Sequence, residues 1–409
     1  MNLATTGHDG WVRVWDAATG EAVLTFAGHR GWVPAVTYSP DSTRLAIVGR
    51  GDGSIQVWDA ADGEPLVTFP SGRGGAVSTM TYSPDGTRIA LAGNAEEAVR
   101  VWDATTGEPL LTFPPSDRGG AVSAMTFSPP DGTQLATAGS GDGAIRIWNP
   151  ATGEPQLTFT AHHGDVSAMT YSPDGTQLAT AGSSDGAIRI WNPATGEPLL
   201  AFTAHRGGVV AVAYSPDGTR LVSGGGYNDP VRVWDAATGR DRLSCAGHRG
   251  AVATVAYSPP DGKRLISGGK GDGAVRVWDA VTGEELHTFP GHADGVAAAA
   301  YSPPDGTTLA IASRFNRSVR VCDAATGKTV RSFPGHQDGV EAVTYSPDGT
   351  TLAIAAGDGS VRLWNTATSE PLNWRIEHLP KARSLHGTNR QALCWPRVRR
   401  LGAGSGGSA

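Results

Sequence analysis

The chain has 409 residues, 39% of them apolar and 18% charged, with 56 Gly, 27 Pro and a net charge of −6. No apolar run approaches the roughly 18 residues of a membrane span, and the start "MNLATTGHDGW" has neither the basic region nor the apolar core of a signal peptide. Cys245, Cys322 and Cys394 stand too far apart for a disulfide framework or a zinc site, so a reducing cytoplasm is the expected compartment.

In chain order, the first recognisable element is "LATTG", which aligns with a second strand of later units, so unit one lacks a first strand. Eight complete units follow. Trp15, Trp58, Trp102, Trp148, Trp191, Trp234, Trp278, Cys322 and Trp364 recur every 42 to 46 residues. The unit at residues 164–202 divides into "VSAMTYS", "QLATAG", "AIRIWN" and "PLLAF". Each run is rich in Val, Ile, Leu, Thr or aromatic residues and is bounded by Gly, Pro, Asp or Asn. Four short antiparallel strands with tight turns follow from that pattern. No unit has the 3.6-residue apolar period of a helical solenoid. One four-stranded sheet cannot bury both its faces, so neighbouring units must stack on it.

After the last unit, near "EPLNW", the period breaks. Seven basic residues and one acid from Trp374 onward give +6, which leaves −12 on residues 1–373. Residues 374–409 are expected to be a basic, flexible tail. Only four of the 33 basic residues are Lys, and with the Ala, Gly and Arg content this suggests a GC-rich bacterial genome.

The recurring "GHRG…WD" phrases resemble the WD-repeat family across residues 1–373. That resemblance implies an all-β propeller of four-stranded antiparallel blades. The simplest arrangement is nine repeats in one ring with an incomplete N-terminal blade. An eight-bladed ring with a spare fragment, or an open arc, are the alternatives. The family also implies a hydrogen-bonded set in each blade: a His before the first strand, a Ser or Thr on the second, an Asp in the next turn, and the Trp. Three units carry all four residues: His162, Thr180, Asp185 and Trp191; His205, Ser223, Asp229 and Trp234; His248, Ser267, Asp272 and Trp278. The logic is sound, because a buried indole N–H needs an acceptor. The unit with Cys322 keeps His292 but has Ile311 in place of the hydroxyl and no Asp in "SRFNRS". Three members vanish together, as expected of one structural network, since half a buried network is worse than none.

Recurrence around the ring and a mid-strand hydroxyl argue against a hydrolytic triad. No metal, cofactor or catalytic residue is assigned. "GDG" reads as a tight turn, and no turn gathers the carboxylates that a calcium loop needs. Arg sits two residues before the Trp or Cys in eight of nine third strands, and this regularity reads as structural. The acidic body argues against nucleic acid.

Functional residues are sought where near-identical units differ. By the resemblance, the loop entering each first strand and the loop between the second and third strands reach one face. Trp32 beside Arg30, Trp11, Asp165, Tyr227, Arg206, Arg249 and Phe315 stand out there as partner-binding candidates. An exposed aromatic beside Arg is interface chemistry. The expected function is a monomeric, non-catalytic protein–protein interaction scaffold that binds neither nucleic acid nor membrane. The alternatives are a sensor region of a larger signalling ATPase or kinase, and an enzyme with a site in the central channel.

Overall fold

The computed structural model describes residues 2–6, 11–16, 22–27, 35–48, 55–59, 65–69, 77–93, 99–113, 121–289, 296–313, 318–334, 340–349, 351–356 and 361–365. The chain divides into two units, Met1–Trp374 and Arg375–Ala409. Among the described residues of the first unit every regular element is a β-strand, and all pairings are antiparallel. Seven sheets have four strands in sequence order, and the first and ninth repeats show three. Repeat one consists of Asn2–Thr6, Trp11–Asp16 and Ala22–Ala27, and repeat nine of Val340–Tyr345, Thr351–Ala356 and Val361–Asn365. Repeat five is representative, with Val166–Tyr171, Leu178–Gly182, Ala187–Trp191 and Pro198–Thr203.

Turn chemistry sets each blade. In "SPDGT" of repeat five, Gly175 N donates to Ser172 O at 2.9 Å, and the Asp174 carboxylate accepts from Ser172 Oγ at 2.6 Å and Thr176 N at 3.0 Å. Gly175 has φ +73°, and a Cβ there would fall 2.1 Å from Pro129 O of the preceding repeat. Only glycine fits both demands. In "NPATGE", Asn192 Oδ1 accepts from Ala194 N at 2.9 Å, which closes the turn between third and fourth strands.

Burial follows strand order. The second and third strands of repeat five are buried almost throughout, whereas the fourth is largely exposed. The apolar clusters therefore lie between sheets and join each blade to the next. One cluster unites Ala179, Ile188 and Ile190 of repeat five with Val209, Leu221 and Trp234 of repeat six. At the centre of such clusters the Trp of one repeat meets the Phe at or next to the end of the fourth strand of the repeat before. Ring centroids are 5.2 Å apart for Phe69–Trp102, 4.6 Å for Phe113–Trp148 and for Phe159–Trp191, and 4.8 Å for Phe202–Trp234. The pairing of third and fourth strands shifts register at the Trp itself, as between Ile190 and Trp191, a bulge of the kind that re-aims a side chain.

Both described cysteines stand in for one ring of this pair. Cys245 ends a fourth strand where its siblings have Phe, and it shares a buried cluster with Trp278. Cys322 takes the Trp position opposite Leu309 and shares a cluster with Phe289. Each interface thus keeps one aromatic against one small apolar thiol.

Polar contacts join the other ends of the blades. The residue that opens a second strand reaches the last turn of the next repeat: Arg44 Nη1 donates to Thr105 Oγ1 at 2.9 Å, Gln134 Nε2 to Pro193 O at 3.2 Å, and Arg220 Nη1 to Ala280 O at 2.8 Å. First strands of repeats three to nine lie beside one another in order. The first strand of repeat two, Ala35–Tyr38, lies beside the first two strands of repeat nine.

If the Phe–Trp pair is the principal inter-blade contact, Phe113→Ala should destabilise the protein by about 3–5 kcal/mol. Phe113 is fully buried against Trp148. A loss below about 1 kcal/mol in urea unfolding would show that the pair is dispensable.

Candidate functional site

The loop entering a first strand and the loop between second and third strands meet at one end of each fully described blade. Ser140 N donates to Ala121 O at 2.7 Å, Ser183 N to Asp165 O at 3.0 Å, Gly226 N to Gly208 O at 3.0 Å and Lys270 N to Ala251 O at 2.8 Å. Beneath these loops lie the polar sets.

In repeat five, Trp191 Nε1 donates to Thr180 Oγ1 at 3.0 Å, and His162 Nε2 lies 2.9 Å from the same oxygen. His162 Nδ1 is 3.0 Å from Asp185 Oδ2, which also takes Arg189 Nη1 at 2.7 Å. Repeat seven repeats the arrangement. Trp278 donates to Ser267 at 2.8 Å, His248 Nε2 lies 2.7 Å from that hydroxyl, and His248 Nδ1 lies 3.0 Å from Asp272. The recurrent Arg closes the set in repeat five through Asp185, whereas Arg276 of repeat seven lies 3.7 Å from Asp272 and donates to Glu285 at 2.6 Å.

Repeat six departs from the expected set. Trp234, Ser223 and His205 are joined, at 2.8 Å and 2.7 Å, but Asp229 is 3.9 Å from His205 Nδ1. It accepts instead from Arg206 N at 3.0 Å and Gly207 N at 3.1 Å, and His205 Nδ1 has no partner among the described residues. The reason lies in register. Asp142, Asp185 and Asp272 each precede their Trp by six residues, whereas Asp229 precedes Trp234 by five and Asn228 fills the usual place. In the siblings this Asp caps the N–H two residues on, as Asp185 caps Ala187 N at 3.1 Å. Repeat six has Pro230 one residue after Asp229, in the place of Ala187, and Pro has no N–H to cap. Pro also disfavours a helical backbone in the residue before it. The left-handed residue, Gly186 at φ +63° in repeat five, becomes Asn228 at φ +60° in repeat six.

Partial sets occur elsewhere. Trp148 donates to Thr137 at 3.0 Å in repeat four. In repeat three Leu91 fills the hydroxyl place opposite Arg100, and the buried Trp102 Nε1 finds no acceptor among the described residues. Cys322 Sγ in repeat eight is 3.8 Å from Thr329 Oγ1, and Ile311 lies opposite Arg320.

Burial holds the His162, His205 and His248 imidazoles below their ordinary pKa. His205 is lowest, at about 4, because burial acts with only a distant Asp229 to offset it and Arg232 pushes it further down. Burial raises the Asp185 carboxyl, but Arg189, the Ala187 N–H and His162 outweigh it and bring the group to about 2. Thr180, Ser223 and Ser267 are completely buried. Their hydroxyls meet an indole and an imidazole from inside the blade.

The exposed candidates sit above. Tyr227 is 80% exposed, and Arg206 and Arg249 are exposed one repeat apart. Asp165 is exposed, and its carboxylate accepts the Gly141 N–H of the neighbouring repeat, so it also links two blades. Trp11 opens the strand Trp11–Asp16 opposite Ala27, and its side chain lies outside the described residues. Trp32, Arg30 and Phe315 lie outside them altogether. Sequence reasoning missed Lys270, exposed beside the Arg249 loop. Its signal was a Lys where repeats five and six have Ser183 and Gly226, in a chain with four Lys.

Stacked four-stranded blades, with a third-strand Trp in every repeat but the eighth, define a repeat protein of the propeller class. The chain belongs to the WD domain, G-beta repeat family, which it matches at residues 20–59, 63–103, 107–149, 153–192, 196–235, 239–279, 283–323 and 327–365. Among curated proteins it is 39% identical to the periodic tryptophan protein 2 homolog of Dictyostelium discoideum over 51 residues, 12% of this chain and 6% of that protein's length. Among solved structures it is similar to the computationally designed Ika8 protein (TM-score 0.70, 25% identity, 82% of this chain and 96% of that one). Sqt1 from Chaetomium thermophilum, in a structure bound to the N-terminus of ribosomal protein L10, has a TM-score of 0.72 at 21% identity, covering 83% and 98% of the two chains. A chain of the mitotic checkpoint complex has a TM-score of 0.60 at 23% identity, covering 71% and 87%.

Two outcomes test the polar sets. Trp191→Phe, which strands Thr180, should cost about 1–3 kcal/mol more than Trp102→Phe, which removes an N–H without an acceptor. Equal losses in parallel urea titrations would remove the network from the stability of the blade. In acid, unfolded His205 takes up a proton near 6.5 that the folded imidazole refuses until about 4. Stability should therefore fall as pH drops through that window, by on the order of 3 kcal/mol once complete, with His162 and His248 acting in the same direction. His205→Asn should flatten this slope, and an unchanged slope in urea midpoints would contradict the assignment.

Proposed function

We propose that the chain is a non-catalytic protein-interaction scaffold that works through the loops at the one end of its blades described above. The observation that carries this reading is the state of the reactive set that recurs among the described residues. Its hydroxyls are fully buried and occupied by indole and imidazole partners, and its histidines are held neutral by burial. What varies between sibling repeats at full exposure is loop side chains, and these suit recognition. The similar Sqt1 structure is bound to a segment of another protein, and a further similar chain belongs to a multiprotein complex.

For the ring itself we favour eight blades, repeats two to nine, with the three strands between Asn2 and Ala27 as a spare fragment. The support is the placement of Ala35–Tyr38 beside repeat nine. Nine consecutive blades would put repeat one between them.

The test is position-dependent photo-crosslinking. A benzoylphenylalanine placed at Ser140 or Ser184, on the loop end, should capture a protein partner from a lysate of the source organism. The same group at Thr195, in the turn at the other end of blade five, should not. Capture at Thr195 with none at either loop position would refute the proposed face.

A further inference from the structure

Repeat six gives up a buried hydrogen bond that repeats five and seven keep. Pro230 and the Asn228–Asp229 shift leave the fully buried His205 Nδ1 without a partner. Blade packing does not call for this, because the sibling frames on either side close the same set with Asp185 and Asp272. Departures from local consistency concentrate at functional sites. Here the rearranged turn carries Tyr227, 80% exposed, at a position where repeats four, five and seven have Gly141, Ser184 and Gly271.

Tyr227 stands on a fixed base. Gly226 N donates to Gly208 O at 3.0 Å, and a Cβ on Gly226 would fall 2.3 Å from Gly207 O, so the two loop backbones touch. The Asp229 carboxylate caps both Arg206 N and Gly207 N. A large aromatic held by backbone contacts offers area to a ligand at little further loss of entropy.

Charge supplies the second, independent observation. Asp229 and Asp272 at this rim turn inward onto backbone N–H groups, Asp272 accepting Arg249 N at 3.0 Å. The side chains of Arg206, Arg249 and Lys270 point outward with no ion-pair partner among the described residues. Two adjacent blades thus present three cations and one tyrosine on loops at the same blade end, on a body whose residues 1–373 carry −12.

We infer that Tyr227, Arg206, Arg249 and Lys270 form a docking surface for an acidic peptide segment of a protein partner, with Tyr227 receiving an apolar or aromatic side chain of that segment. The inference rests on the scaffold reading and names its surface and ligand chemistry. A short acidic segment meets the cations locally, whereas a long polyanion such as nucleic acid would also meet the acidic remainder within a Debye length of about 8 Å. The surrounding negative charge would orient the segment onto this one arc.

The test uses the full chain and a fluorescein-labelled ten-residue peptide of Glu and Phe. Comparison probes are the same peptide with Gln for Glu and a ten-nucleotide oligo-dT. Fluorescence anisotropy should show binding that weakens with salt, drops about tenfold or more for Tyr227→Ala and Arg206→Glu, and is retained by Tyr227→Phe and Thr195→Ala. Melting curves check that every variant is folded. The inference is overturned if the acidic peptide does not bind, if Tyr227→Ala binds it as well as the native chain does, or if oligo-dT binds more tightly. Partner crosslinking at Ser140 or Ser184 together with any of those results would leave the scaffold reading standing and this surface discarded.

Discussion

The seam between adjacent sheets, where the third-strand Trp of one repeat meets the last Phe of the repeat before, is the contact on which the rest of the structure depends. A four-stranded sheet with two apolar faces is not stable alone in water. Its second and third strands are buried on both sides only because neighbours cover them. The indole fills the middle of that seam, and a register shift at its position recurs in the described pairings of third and fourth strands, at Cys322 as well as at the Trp residues. Turn glycines that touch the preceding blade, such as Gly175 against Pro129, set the distance at which two sheets meet.

Packing and hydrogen bonding at the Trp are separable, and packing is the stricter demand. Repeat three keeps Trp102 against Phe69 although Leu91 offers the indole no acceptor. Repeat eight abandons indole, hydroxyl and carboxylate together, and Cys322 still sits fully buried against the Phe289 cluster. A Cys in place of Trp, or Cys245 in place of Phe, preserves an apolar seam with one ring missing. The polar set therefore refines blades that packing has already assembled. Its absence is tolerated in repeats three and eight because the apolar seam remains.

This division of labour leaves one blade end free to vary. Hydroxyl, imidazole and carboxylate face inward, and the loops above them carry side chains that the fold does not need. Repeat six marks the boundary between the two demands. There a proline in the turn removes the N–H that an aspartate would cap, the carboxylate moves to the loop backbone, and the buried histidine loses its partner while a tyrosine stands in solvent.

Much of this protein was legible in the sequence because repeats report on themselves. The recurring Trp, the "SPDGT" and "NPATGE" turns and the alternation of short apolar runs are local signals with local causes, and they prescribe strands, turns and blades without reference to distant contacts. The His–hydroxyl–Trp links of repeats five and seven are those that the resemblance to the WD-repeat family implies for residues at these positions. Even the failure at Asp229 was present as a count of five residues to the Trp where the siblings have six. Tertiary structure alone decided what depends on two blades at once. The meeting of Cys245 with Trp278, the reach of Arg220 to Ala280 O, the capture of Asp165 by Gly141 of the preceding blade, and the contact of the strand Ala35–Tyr38 with repeat nine all join residues whose separation in sequence carries no signal. A sequence specifies each sheet through its own turns, but the partner of an outward-facing side chain is set by how sheets stack, and stacking is a property of pairs.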